Sequence, residues 1–321
     1  MATAKRSEIL FLYDITWGNP NGDPNDANKP RIDEETGLNV VTDVRLKRTI
    51  RDELIAKGYE VLVRDTITED GFLADAKHRG SDFLPESAKA KANKKNDKDK
   101  EKLSQEELEE FKKNVKNCVD IRMFGCVLPS DIKNASLQYT GPVQFKMGTS
   151  LHPVKLEFLK GTGAFAGADE KNQKTFRQEY LLPYSLIRFY GLVNDRAAEI
   201  TGLTEEDVSL MLRAMWDGTK NLITRTKAGQ VPRLLLQVSY KTKDFYIGSL
   251  DKTIRFSHDI SGEAVRAIND GELKLTKLKD SLILNKEHLD KVIIRIDSEV
   301  KTDINIIEEL QKAGVMVEVM A

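Results

Sequence analysis

Between Lys89 and Lys102 the chain reads KAKANKKNDKDKEK, with seven lysines, three acids and no large apolar side chain. Such a stretch cannot bury enough apolar surface to offset the entropy lost on ordering it. Any core must therefore come from the segments on either side. The stretch predicts a solvated loop within an insertion spanning residues 66–125, whose one clear helix is Glu106–Val115. A nucleic-acid contact from this loop is the lesser reading of its charge.

The flanking segments carry the fold. Glu8–Ile15 (EILFLYDI) reads as a strand, and Gly18–Gly37 is rich in Asn-Pro, Asn-Gly-Asp-Pro and Lys-Pro steps that break regular structure. Asp43–Lys57 reads as a helix with Thr42 as N-cap, because Leu46, Ile50 and Leu54 recur every four residues on one face. Tyr59–Val63 predicts the next strand. Further strands are expected at Leu137–Lys146, Val154–Leu159, Glu179–Tyr190, Arg233–Tyr240, Val292–Asp297 and Val315–Val319, with helices at Thr204–Asn221 and Asp303–Ala313. The polar segment Gly161–Gln173 between two of these strands predicts a projecting hairpin. Strands and helices mix without regular alternation, which favours α+β over a doubly wound sheet.

Composition narrows the function. The 50 basic and 51 acidic residues nearly cancel, which excludes a generally basic nucleic-acid binder but not a local basic stripe. No run approaches the ~20 apolar residues of a membrane span. Residues 1–7 lack the apolar centre of a signal peptide. Two cysteines, Cys118 and Cys126, are too few for a disulfide framework. These features predict a cytoplasmic protein without a membrane partner.

Catalytic signals are sparse. His78, His152, His258 and His288 are scattered, and no zinc spacing, nucleophile elbow or Walker loop is present. Gly161-Thr162-Gly163 reads as a hairpin tip, not a phosphate loop. Asp14, Asp23, Asp26, Asp33 and Asp120 are carboxylates that would have to converge for metal-dependent catalysis, whereas acids in turns ordinarily make caps and Asx-turns. No catalytic residue, metal or cofactor is expected, and the chain reads as a non-enzyme.

The informative stretch runs from Asn19 to Asp52. Arg45, Lys47 and Arg48 sit in the first two turns of the expected helix, with Arg51 one turn on. Cations at a helix start oppose the helix dipole, and a bound phosphate would reverse that penalty. Asp43, Asp52 and Glu53 are the competing internal partners. The preceding loop offers Asn19, Asn21, Asp23, Lys29 and Arg31. A second cluster, Gln144, Lys146 and Met147, lies in GPVQFKMGTSLH, and a third, Thr175, Phe176 and Arg177, lies near the hairpin. Along Tyr184–Tyr190, alternation sets Tyr184, Leu186, Arg188 and Tyr190 on one face, either for base stacking or as buried strand aromatics.

The ordered motifs NPNGDP (19–24), KPRIDEETG (29–37), TDVRLKRTIRD (42–52), DIRMFG (120–125), GPVQF (141–145), SLHPV (150–154) and LPYSLIRFYG (182–191) resemble the CRISPR-associated backbone subunit of Cascade, in its type I-B branch, within the RAMP superfamily. The resemblance spans about residues 7–240. It implies a modified RNA-recognition-motif (ferredoxin-like) palm at 1–65 and 126–321, helical fingers at 66–125 and a β-hairpin thumb at about 154–182. It further implies copies stacked head-to-tail as a helical filament along CRISPR RNA, alongside other Cascade subunits, with target DNA reached through the guide. RNA contact is implied for Asn19, Asn21, Asp23, Arg31, Thr42, Arg45, Lys47, Arg48 and Arg51, and for the Gln144–Met147 and Thr175–Arg177 segments. The family often has a bulkier aromatic at the position of Met147. The competing activity is that of type III backbone subunits, which cut target RNA with a loop aspartate; by position Asp23, Asp26 or Asp33 would serve.

Overall fold

The computed structural model describes residues 2–68, 70–92, 102–166 and 174–320, with backbone alone at 90–92, 162–166 and 174–177. Most of the Lys-rich segment (93–101) and the hairpin tip (167–173) lie outside the described residues.

Along the chain come β1 (Ser7–Gly18), β2 (Gly22–Asp23), β3 (Lys29–Ile32), β4 (Leu38–Val41) and α1 (Asp43–Ala56). Next are α2 (Ala76–Ser81), α3 (Glu86–Ala92), α4 (Gln105–Asn117), α5 (Val119–Phe124), β5 (Gly125–Leu128), β6 (Leu137–Thr140), β7 (Val143–Phe145) and β8 (Gly148–Pro153). Then follow β9 (Glu157–Ala166), β10 (Lys174–Val193), α6 (Asp195–Thr201), α7 (Glu205–Lys220) and β11 (Val231–Tyr240). The chain ends with β12 (Arg255–His258), β13 (Gly271–Lys274), α8 (Thr276–Leu284), β14 (Leu289–Ile296), α9 (Ile306–Lys312) and β15 (Val317–Val319). The architecture is α+β, as the irregular alternation predicts.

Two compact units form, each discontinuous in sequence. One comprises Met1–Arg6, Ile50–Gln144 and Leu192–Met215; the other comprises Ser7–Thr49, Phe145–Gly191 and Trp216–Ala321.

The second unit is organised on a mixed sheet in the order β15-β14-β11-β1-β10-β8-β4-β3-β2. β1 pairs antiparallel with β11, β11 antiparallel with β14, and β14 parallel with β15. β1 is buried on both faces, so its sequence is an apolar run instead of a clean alternation. On one face Leu10 and Leu12 join Tyr184, Leu186, Leu234, Leu236 and the apolar sides of α8 and α9 in one core. The outer half of β10 leaves this sheet and pairs antiparallel with β9, with Tyr180 opposite Phe158 and their rings 4.9 Å apart. The expected hairpin is therefore present at its base.

Two carboxylates are buried on β1, and both are satisfied. Glu8 accepts hydrogen bonds from the Tyr190 hydroxyl (2.6 Å), the Tyr240 hydroxyl, and the backbone N–H groups of Ile247 (2.9 Å) and Gly248 (3.0 Å). Asp14 accepts from the Tyr184 hydroxyl at 2.9 Å and from Arg233 Nε at 2.8 Å; Arg233 also reaches Asp297 and Glu299. Burial, with the neighbouring carboxylates, pushes all three tyrosines up. Tyr184 and Tyr190 thus share a face as alternation predicts, but that face lies in the core. The base-stacking reading for them is overturned, because their hydroxyls are required by buried acids.

The first unit has its own core, built from Leu62, Leu84, Phe111, Val115, Ile121, Leu128 and their neighbours. α4 begins with a reciprocal capping box between Ser104 and Glu107. Tyr59–Val63, expected as a strand, is not one. Its backbone groups are taken by side chains instead: Asp120 accepts the N–H groups of Leu62 (2.8 Å) and Val63 (3.2 Å), and Arg79 donates to the carbonyls of Val61 and Leu62. Gly125, at φ 71°, explains why DIRMFG and GPVQF occur together. A Cβ there would meet Tyr139 O at 2.1 Å and Gly141 N at 2.5 Å, so the backbones cross too closely for any side chain.

Candidate nucleic-acid interface

The start of α1 is built by the loop before it. Thr42 caps the helix, with Oγ1 3.3 Å from Arg45 N, and Asn21 Oδ1 accepts the Thr42 N–H at 2.9 Å. Arg31 donates to the carbonyls of Asn21 (3.2 Å) and Gly22 (2.8 Å), and its Nε lies 3.4 Å from Asp23. Asn19 is buried, with Nδ2 donating to Asn28 O at 2.7 Å. Asn19 Nδ2 and Arg31 therefore brace the loop's own backbone, and Asn21 ties the loop to the start of α1.

The four helix cations divide. Lys47 Nζ pairs with Asp43 at 2.9 Å, one turn back. Arg51, grouped with the first unit, donates from Nε to Asp120 at 2.9 Å and lies 5.1 Å from the Phe124 ring. Asp120 is fully buried and needs a counter-charge, which Arg51 supplies within the fold. Arg48 is exposed, and Arg45 is half-buried with Nη2 3.1 Å from the Thr49 hydroxyl.

Sequence reasoning missed Lys227, which lies in the loop joining α7 to β11. That loop is fastened to the start of the candidate site, because Asn19 N donates to Thr226 O at 2.8 Å. Burial pushes the Lys227 ammonium down, and the positive charge of Arg45 pushes it further the same way. The only sequence signal was the pair Arg225 and Lys227, two apart in a Gly-containing loop. Arg225 reaches the hairpin strand through Glu179 (2.7 Å), and Lys29 lies 5.2 Å from the Tyr180 ring.

The other clusters are less convergent. Gln144, grouped with the first unit, donates to Gly141 O at 2.9 Å. Lys146 lies 4.5 Å from the Tyr190 ring and 3.4 Å from Asp251, while Met147 is exposed beside Gly148, where Phe189 leaves no room for a Cβ. The side chains of Thr175, Phe176 and Arg177 lie outside the described residues.

The aspartates follow turn chemistry. Asp23 accepts the Asn25 N–H at 2.9 Å, Asp26 pairs with Lys29 at 2.7 Å, and Asp33 accepts from the Thr36 hydroxyl. Among the described residues no group of three His, Cys, Asp or Glu side chains is placed to hold a metal.

Residues 5–276 match the family model described as CRISPR-associated protein Cas7. The chain is also 32% identical to the "CRISPR-associated protein Cas7" of Haloferax volcanii, over 95% of this chain and 90% of the relative. The chain belongs to the Cas7 family. Its fold is similar to that of chains in solved structures. One is from a "CRISPR RNA-guided surveillance complex, pre-nicking" (TM-score 0.57, 17% identity, 96% of this chain and 99% of that one). A second is from a "CRISPR RNA-guided surveillance complex" (TM-score 0.51, 14% identity, 96% and 98%). The resemblance read from the ordered motifs is thereby confirmed at the level of the Cas7 family. No helix among the described residues is long and apolar enough to cross a membrane.

Proposed function

We propose that this Cas7 chain is a non-catalytic CRISPR RNA-binding backbone subunit of a type I (Cascade) surveillance complex, of the type I-B branch. Copies stack head-to-tail along the guide spacer as a helical filament in the cytoplasm, with other Cascade subunits, and present the guide for pairing with invading DNA. In this reading the sheet of the second unit is a modified RNA-recognition-motif palm, residues 66–125 are fingers, and the β9–β10 hairpin is the thumb. The observation that carries the proposal is the start of α1 in a Cas7-family chain, where Thr42 caps the helix that bears Arg45 and exposed Arg48, and Asn19 N, in the loop before it, donates to Thr226 O at 2.8 Å, next to Lys227. Cations at a helix start oppose the helix dipole, and a bound phosphate reverses that penalty. Phosphate contacts fix a strand without reading it, as a subunit serving any spacer must do. The local turn partners of Asp23, Asp26 and Asp33 support the absence of a nuclease role.

The test is to purify the chain with its bound nucleic acid and compare it with an Arg45→Ala/Arg48→Ala variant. RNA copurifies with the parent, and nuclease treatment dissolves its oligomers. The variant binds every spacer sequence more weakly, and its salt slope falls by about 1.4, for two single-strand phosphates at ~0.7 each. Unchanged affinity, or loss for some sequences only, rejects the assignment. Regularly spaced cleavage of complementary RNA with divalent metal, lost on Asp→Ala at 23, 26 or 33, would replace it with the nuclease reading.

A further inference from the structure

Trp17, next to last in β1, is 53% exposed with its backbone at φ 46°. A positive φ is a genuine outlier for so bulky a residue, and such outliers persist where the surrounding structure enforces them. The enforcement is visible in the next two residues. Gly18 is packed so that a Cβ would meet Ile15 Cδ1 at 2.2 Å and Thr226 O at 2.8 Å, and Asn19 N donates to that same carbonyl. The Thr226 carbonyl therefore clamps the chain directly after Trp17. Among the described residues no aromatic ring or cation stacks on its ring. Two positions on, Asn19 Oδ1 is buried without a hydrogen-bond partner. Lys227 follows Thr226 directly, so the clamp that presents the indole also brings a cation to its neighbourhood.

We propose that Trp17 is a stacking platform for an unpaired nucleobase of the bound RNA, next to a backbone phosphate held by Lys227. This rests on the RNA-binding reading and adds a base contact to it. The chemistry fits a strand gripped without sequence reading, because every base has a π-face and stacking tolerates all four. It also accounts for the exposed ring and the strained backbone together. An indole left half exposed by a clamp offers an open face, and a flat apolar ligand beside a phosphate can cover it.

The experiment uses the full chain with single-stranded RNA carrying 5-iodouridine. Ultraviolet crosslinking followed by peptide mapping places the crosslink on the Trp17 peptide. Trp17→Ala weakens binding about tenfold at every sequence and leaves the salt slope unchanged, since no charge is removed. Trp17→Phe retains most of the affinity. Lys227→Ala lowers the slope instead, by ~0.7. Trp17→Gly separates function from folding: glycine accepts the positive φ, so this variant melts no lower than the parent while losing the same affinity. Parental affinity in Trp17→Ala overturns the inference, as does a lowered melting temperature in Trp17→Gly. So does loss of self-association in nuclease-treated protein with binding of a short RNA unchanged, which makes the ring a protein contact. A parent chain that binds no RNA would instead defeat the underlying assignment.

Discussion

The two ends of β1 are opposites. At its start, Glu8 is fully buried and four donor groups, two hydroxyls and two backbone N–H groups, converge on its carboxylate. At its finish, Trp17 is exposed on a strained backbone and Asn19 carries a buried acceptor without a partner. One strand therefore passes from a region where every polar group is satisfied internally to one where geometry is held against local preference. Buried donors and acceptors left unpaired are unfavourable by about 1–3 kcal/mol each, and a backbone outlier by a similar amount. A ligand stacked at the Trp17 end, as proposed above, would offset these costs.

The largest consequence lies at the closed end. Glu8→Ala strands the Tyr190 and Tyr240 hydroxyls and the Ile247 and Gly248 N–H groups, so denaturant unfolding loses about 4 kcal/mol, a value reached only by buried-network failures. Glu8→Gln recovers part of this, because one of its two amide atoms still accepts. A loss below about 1 kcal/mol in the alanine variant would mean that water enters and the closed end is not closed.

How much of this was legible follows from which interactions are local. β1, the hairpin base and α1 were readable because EILFLYDI, the strand-polar-strand pattern and the Thr42 cap act over a few residues. Tyr59–Val63 was misread because its backbone partner is Asp120, far along the chain, and local propensity cannot register a side chain that arrives from a distance. The four-residue strands β12 and β13 and the helix α8 went unread in a stretch with weak periodicity. At the site, Arg45 and Arg48 were visible as cations at the wrong end of a helix. The pairing of Arg51 with Asp120 was not, nor was the arrival of Lys227, since both depend on tertiary neighbours. The strain at Trp17 is invisible to pattern, because a dihedral angle leaves no mark on composition.

A second consequence concerns pH at the closed side of the sheet. His152 is buried on β8; its Nδ1 lies 2.9 Å from Pro153 O and 3.0 Å from Gly262 O, and its Nε2 accepts the Leu186 N–H at 3.3 Å. This arrangement requires the neutral ring, with Nδ1 donating, because a protonated Nε2 would oppose the Leu186 N–H. Burial lowers its pKa below the ordinary histidine value of 6.5, outweighing the two carbonyls. A histidine with a depressed folded pKa contributes stability above the unfolded pKa and loses it as pH falls through the folded one. Unfolding free energy therefore drops on acidification below about pH 6.5, with a slope approaching 1.4 kcal/mol per pH unit for one proton. His152→Gln, which cannot titrate, flattens that component of the stability–pH profile. An identical profile in parent and variant would assign the acid sensitivity elsewhere.

The smallest expected effect concerns how much each of two neighbouring cations on α1 serves a bound strand. Lys47 and Arg48 are adjacent in sequence, yet Lys47 is bound to Asp43 at 2.9 Å while Arg48 is exposed. An i,i+4 pair of this kind contributes about 0.3–0.5 kcal/mol to stability. Lys47→Ala should accordingly shift the unfolding midpoint slightly and leave Asp43 as an uncompensated negative charge near the bound strand. Arg48→Ala should act on the RNA, reducing the salt slope by ~0.7. The two single variants, measured side by side by denaturant titration and by RNA binding across salt concentrations, separate charge that serves the helix from charge that serves a ligand. Equal slopes for both would mean that the Lys47–Asp43 pair opens when RNA arrives, and the internal neutralisation seen at Lys47 would then be a property of the free chain alone.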